Sequence, residues 1–309
     1  MTAPLHFLDI KSQSPETLKA ILAEAHRLKA KTGRPRPRST ALTHHTLAMM
    51  FERPSTRTRF SFDMAMRELG GDTIVAAGAE MQLGRGESLA DTAEVLSRYV
   101  DAVMIRMLDH DGLAEFAQHA SIPVINGLTR RSHPCQMVAD LMTIEERLGG
   151  LEGRIVTWVG DGNNMAATFL EAAQRLPFHY RIATPPDLTL DSELVAAAKA
   201  AGADVTIFDA AEDAVTGADV VVADAWASMG DEDYDRRHAL LKPFQVNPAL
   251  MSLAQPGAIF LHCLPAHRNE EVTDAVIDGP QSAVFDEAEN RVHAQKAVLA
   301  YVFGKIGAV

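Results

Sequence analysis

Short apolar runs recur along this chain with helical segments between them, and that alternation restricts the fold more than any other feature. His45-Thr-Leu-Ala-Met-Met-Phe51, Thr73-Ile-Val-Ala-Ala77, Ala102-Val-Met-Ile-Arg106 and Pro123-Val-Ile125 read as strands. Residues 15–28, 60–69, 88–99 and 112–119 carry helical spacing instead. A second series opens at Arg154-Ile-Val-Thr-Trp-Val-Gly160 and continues with strands at 180–183, 205–208, 220–223 and 258–262. Strands separated by helices pair in parallel, with helices on both faces of the sheet. The expected fold class is therefore α/β. It has two domains, each a mainly parallel sheet flanked by helices, joined by a long interdomain helix and a returning C-terminal helix. The boundary is expected along the helical pattern of 133–148, which Gly149-Gly150 closes. The domains are then 1–140 and 141–288, with the C-terminal helix, 289–309, packing back on the first.

At 309 residues the chain is long enough for two cores, and an apolar share of 47% is that of a globular protein. Acidic residues outnumber basic ones by 41 to 29, a net charge of -12 that disfavours nucleic acid. Any phosphate must be drawn by a local basic pocket. Cys135 and Cys263 form no CxxC pair, which fits a reducing compartment. No signal peptide is read at the N-terminus and no apolar stretch reaches membrane-spanning length, so a cytoplasmic protein without a membrane partner is expected.

Five motifs carry chemistry. In Phe51-Glu-Arg-Pro-Ser55-Thr56-Arg57-Thr58-Arg59-Phe60, a strand-to-helix turn puts Ser55 or Thr56 at the N-cap. Hydroxyls and guanidiniums then gather where free N–H groups and the helix dipole favour an anion. By itself the run fits a capped surface helix equally well. Arg106 closes a strand, where ligands of open α/β sheets collect. His133-Pro134-Cys135-Gln136 opens the long helix with an imidazole and an amide. Gly160-Asp161-Gly162-Asn163-Asn164 lacks the third glycine of a dinucleotide loop, and no acidic residue closes the next strand. Asp224-Ala-Trp-Ala-Ser228-Met229-Gly230 and His262-Cys263-Leu264-Pro265 each follow a strand. His262, Cys263 and His267 make a poor zinc set without a fourth ligand.

Together, and in this order, these motifs resemble those of the aspartate/ornithine carbamoyltransferase family, from the Ser55 helix to the C-terminus. The resemblance implies a carbamoyl-phosphate site made of Ser55, Thr56, Arg57, Thr58, Arg106, His133, Gln136 and Arg291, joined by Cys263 and Leu264. Gln82, in the polar loop Glu80-Met-Gln-Leu-Gly84, matches a residue that members lend to a neighbouring subunit. A homotrimer with active sites at subunit interfaces is implied. Asp224 with Ser228-Met229 and the H-C-L-P run match the ornithine branch, and Asn164, Asp224, Ser228 and Met229 are the implied ornithine contacts. Ala90 stands in Glu87-Ser-Leu-Ala-Asp-Thr92 where aspartate-using relatives usually carry lysine.

The implied reaction, in arginine biosynthesis, is carbamoyl phosphate plus L-ornithine to L-citrulline plus phosphate. Arg106, His133, Asp224 and Cys263 are the implied catalytic residues, with no cofactor and no metal. Three rivals stay open at this point: another acceptor amine, a nicotinamide-dependent dehydrogenase on the same fold, and a non-enzymatic sensor.

Overall fold

A computed structural model describes residues 3–30, 38–78, 86–226 and 233–308. The chain packs as two units, one of Met1–Ala139 with Asn290–Val309 and one of Asp140–Glu289.

In the first unit the order is α1 (Pro15–Ala30), β1 (Thr46–Phe51), α2 (Thr56–Glu68), β2 (Asp72–Ala77), α3 (Leu89–Leu96), β3 (Ala102–Arg106), α4 (His110–His119) and β4 (Val124–Leu128). The sheet order is β2-β1-β3-β4, all parallel. β1 is apolar without alternation because both of its faces are covered. Ala48 and Met50 join a cluster with Val103, Ile105, Leu113 and Phe116, while Leu47, Met49 and Phe51 are also buried. Next to β1 lie β2 on one side and β3 on the other, so the loops leaving β1 and β3 diverge. Such a switch point opens a crevice at the carboxyl ends of the strands. α5 (Pro134–Leu148) starts in this unit and crosses the division between Ala139 and Asp140.

The second unit continues with β5 (Ile155–Val159), α6 (Asn164–Ala173), β6 (His179–Ala183), α7 (Ser192–Ala200), β7 (Val205–Phe208), α8 (Ala211–Val215) and β8 (Val220–Ala223). It closes with α9 (Tyr234–Leu241), α10 (Pro248–Met251), β9 (Ile259–His262), α11 (Asp274–Ile277) and the first part of α12 (Val284–Val302). Its parallel sheet runs β7-β6-β5-β8-β9, with Val159, Val221, Phe260 and Val284 in the core. The switch point falls between β5 and β8, where the Asp161 and Asp224 turns leave the sheet.

The expected fold class is borne out, a parallel sheet with flanking helices in each unit and a closing C-terminal helix. Helix starts differ from expectation. α4 begins at His110 and not at Gly112, because the Asp109 side chain accepts the Asp111 N–H as its cap. α12 begins at Val284 and not at Glu289, with Asp286 and Glu287 in the first turn, where acidic groups favour the positive helix end. Among the described residues no helix is long and apolar enough to cross a membrane.

Candidate active site

Each unit carries polar groups at its own switch point. In the first, Ser55 is the N-cap of α2 with extended backbone (φ -149°, ψ 103°), yet its hydroxyl makes no capping bond. It donates instead to Thr58 Oγ1 at 3.1 Å. The first N–H groups of α2 are thus left without a side-chain acceptor at the positive end of the helix. Thr58 is buried, and two guanidiniums also turn to its hydroxyl, Arg106 Nη1 at 3.5 Å and Arg291 Nη2 at 3.4 Å. Arg291 donates in addition to Gln136 Oε1. Two like charges held near one neutral oxygen are what an anion site requires.

His133 lies buried just before α5, its carbonyl accepting the Gln136 and Met137 N–H groups. Burial, reinforced by Arg291 and Arg106, drives its pKa well below the usual imidazole value. A neutral imidazole here can donate a hydrogen bond to a carbonyl oxygen without giving up a proton. Thr56 and Arg57 stand exposed in the first turn of α2. Thr58 is the hub for Ser55, Arg106 and Arg291, and Arg291 brings in Gln136.

In the second unit, the acidic and thiol groups form a closed network. Cys263 Sγ donates to Asp224 Oδ1 at 3.2 Å, and Asn163 Nδ2 donates to Asp224 Oδ2 at 2.9 Å. Burial first, then the neighbouring Asp224 and Glu287 charges, keep the Cys263 thiol protonated far beyond its ordinary range. Asn163 is the N-cap of α6, accepting from Met165 and Ala166 N–H groups, and Asn164 is the first residue of that helix. The glycines before it serve packing. Gly160 has φ +131°, and a Cβ at Gly162 would lie 2.6 Å from the Leu188 carbonyl oxygen.

The turn after β9 is pinned from below. Glu287 accepts the His262 backbone N–H at 2.8 Å, and Leu264 N–H donates to His262 Nδ1 at 2.9 Å. Nδ1 is thus the acceptor, so Nε2 carries the proton and donates to Glu271 Oε1 at 3.1 Å. His262 accordingly has a structural part, holding Leu264 at φ +58°.

Sequence reasoning missed Asn163, Asp161, Arg237, Glu271 and Glu287. Asp161 and Asn163 showed a signal, an acid between two glycines and a capping amide in a turn between a strand and a helix; the others showed none. The expected residues Gln82, Ser228 and Met229 lie outside the described residues.

Family models match almost the whole chain. Residues 5–146 match the model described as "Aspartate/ornithine carbamoyltransferase, carbamoyl-P binding domain", and residues 152–302 its "Asp/Orn binding domain". The chain is 59% identical over 309 residues to an ornithine carbamoyltransferase of Rhodopseudomonas palustris, covering 99% of each. It is 58% identical to that of Bradyrhizobium diazoefficiens, covering 98% of this chain and 99% of the relative. Among solved structures, the ornithine carbamoyltransferase of Pyrococcus furiosus superposes with a TM-score of 0.93 at 44% identity, covering 99% of this chain and 98% of that one. Matched over both of its parts, the chain belongs to the aspartate/ornithine carbamoyltransferase family.

Proposed function

We propose that this chain is a transferase that moves the carbamoyl group of carbamoyl phosphate to the δ-amine of L-ornithine, giving L-citrulline and phosphate. Full-length identity to relatives of that name supports the acceptor. The observation that carries the site is the convergence of Arg106 and Arg291 on Thr58 at an uncapped helix end.

In this reading residues 1–140 with the C-terminal helix hold carbamoyl phosphate, and residues 141–288 hold ornithine. Ser55, Thr56, Arg57, Thr58, Arg106 and Arg291 take the phosphate. His133, Gln136, Cys263 and Leu264 address the carbamoyl group. Asp224 meets the α-ammonium of ornithine, with Asn164, Ser228 and Met229 as further contacts. The neutral δ-amine attacks the carbonyl carbon. A C–N bond forms, the C–O bond to phosphate breaks, and the proton shed by nitrogen leaves with the phosphate. Negative charge building on the carbonyl oxygen is met by donors already in place, the neutral His133 among them. Burial and the Asp224 charge favour the thiol form of Cys263, which suits a hydrogen-bonding partner of the substrates, and direct attack by the amine needs no covalent intermediate. Catalysis is positioning plus charge stabilisation.

The reading includes a cytoplasmic homotrimer in which Gln82 of a neighbouring copy completes each site. Mixing an inactive Gln82 variant with an inactive Arg57 variant regenerates some wild-type sites in hybrid trimers; no activity above either parent removes the shared site. The deciding assay is citrulline formation from the two substrates without added cofactor. Initial rates with acetylornithine, putrescine and aspartate fall far below the ornithine rate. A preference for any of these three overturns the acceptor.

A further inference from the structure

Beside the turn after β9, two imidazoles and two carboxylates of the second unit turn toward one another. His267 Nδ1, Glu270 and Glu271 each present one ligand atom, all within 4.8 Å of one another. His267 Nδ1 lies 3.6 Å from Glu270 Oε2 and 4.0 Å from Glu271 Oε2. From α9, His238 Nε2 approaches Glu270 Oε2 at 3.3 Å. All four atoms are shut off from solvent, and none makes a hydrogen bond among the described residues. Glu271 is wholly buried. Its Oε1 accepts His262 Nε2–H at 3.1 Å and His267 N–H at 2.5 Å, so its rotamer is fixed with Oε2 facing the cluster.

Lone pairs facing lone pairs repel unless something positive lies between them. The spacing decides what. Charge-assisted N–H···O contacts are drawn in to about 2.7–2.9 Å. Two ligands sharing a tetrahedral metal at about 2.0–2.1 Å stand roughly 3.3–3.4 Å apart. All three edges, 3.3, 3.6 and 4.0 Å, lie beyond the first case, and the shortest, between His238 and Glu270, equals the second. Imidazole with carboxylate suits a borderline divalent ion such as zinc. A ligating carboxylate pinned by outer donors, as Glu271 is, is the support such sites use.

We propose that His267 Nδ1, Glu270 Oε2 and Glu271 Oε2, with His238 Nε2 beside them, form a binding site for a divalent transition metal of the zinc class. The sequence reading had set His267 with His262 and Cys263 and dismissed the set for want of ligands. In the structure His267 joins Glu270 and Glu271 instead, and both His262 nitrogens are engaged in hydrogen bonds. An ion bound here braces Glu271, and through His262 the Cys263-Leu264 turn.

The test titrates Zn2+ by calorimetry, and Co2+ by absorbance, into the metal-stripped full chain. One equivalent binds per chain, and the Co2+ adduct shows no thiolate charge-transfer band. His267→Ala and Glu270→Gln each weaken binding at least tenfold. Their side chains are 38% and 35% exposed, so both variants fold, as circular dichroism melts verify. Cys263→Ser leaves the affinity unchanged. The site is overturned if no ion binds, or if both variants keep wild-type affinity. A thiolate band together with loss of binding in Cys263→Ser also overturns it, by placing the ion at Asp224 and Cys263.

Discussion

Arg237 of α9 reaches Asp161 in the turn after β5, Nη2 to Oδ2 at 2.5 Å, and ties that turn to the helix. Burial outweighs that partner, and with Asp224 nearby the Asp161 carboxyl is raised from 3.8 to about 6. The folded state therefore holds a proton that the unfolded chain releases, so the stabilisation is complete below 3.8 and lost as pH rises through about 6. Relative to Asp161→Asn, wild-type unfolding free energy should fall by about 2–3 kcal/mol between acid and neutral pH. Melts of both proteins across that window check it; parallel curves reject it.

Arg57 stands exposed in the first turn of α2, so its removal spares the fold. A charge-assisted contact is worth about 1.5–3 kcal/mol. Arg57→Ala should weaken carbamoyl-phosphate binding at least tenfold at unchanged melting temperature. Equal affinity by calorimetry would retire the anion site.

Asp224 accepts from Cys263 and Asn163, which fixes its carboxylate in one orientation. Asp224→Asn should raise KM for ornithine at least tenfold, the worth of about 1.5–3 kcal/mol for a charged contact. The KM for carbamoyl phosphate should barely move. Steady-state kinetics with each substrate varied separates the two.

Both cysteines are free, and both should be inert at neutral pH. Burial pushes Cys135 up to about 12, and burial with Asp224 drives Cys263 well above its ordinary value. Iodoacetamide at pH 8 should label neither in the native protein and both after denaturation, as read by mass spectrometry. Fast native labelling of Cys263 would contradict the protonated thiol.

Lys296 and Glu68 form an ion pair at 2.8 Å with side chains only 4% and 3% exposed. Lys296→Met removes one charged partner of the buried Glu68 carboxylate, and losing one partner of a buried pair costs about 3–5 kcal/mol. Denaturant unfolding should show that loss, and the double change with Glu68→Leu should recover most of it.

The strands were legible because chains buried on both faces leave unbroken apolar runs, as Leu47 through Phe51 do. Helix starts were less so, since a single side chain such as Asp109 sets the first turn. Within the first unit Ser55, Thr58, Arg106 and Gln136 come together with Arg291 because short motifs already held the first four at a strand or helix end. The pairings of Asn163 and Arg237 were not legible because their partners lie 61 and 76 residues away, and only the folded sheet brings such positions together.

Leu264 sits at φ +58°, where a side chain costs about 1–2 kcal/mol over the ordinary backbone. Glycine there would relieve that strain and forfeit roughly 0.5–1 kcal/mol of chain entropy, so stability would barely change. Breadth of motion would change instead. A leucine confined to a narrow well, with its N–H on His262, holds its carbonyl to a small arc. The turn therefore trades ease of folding for aim.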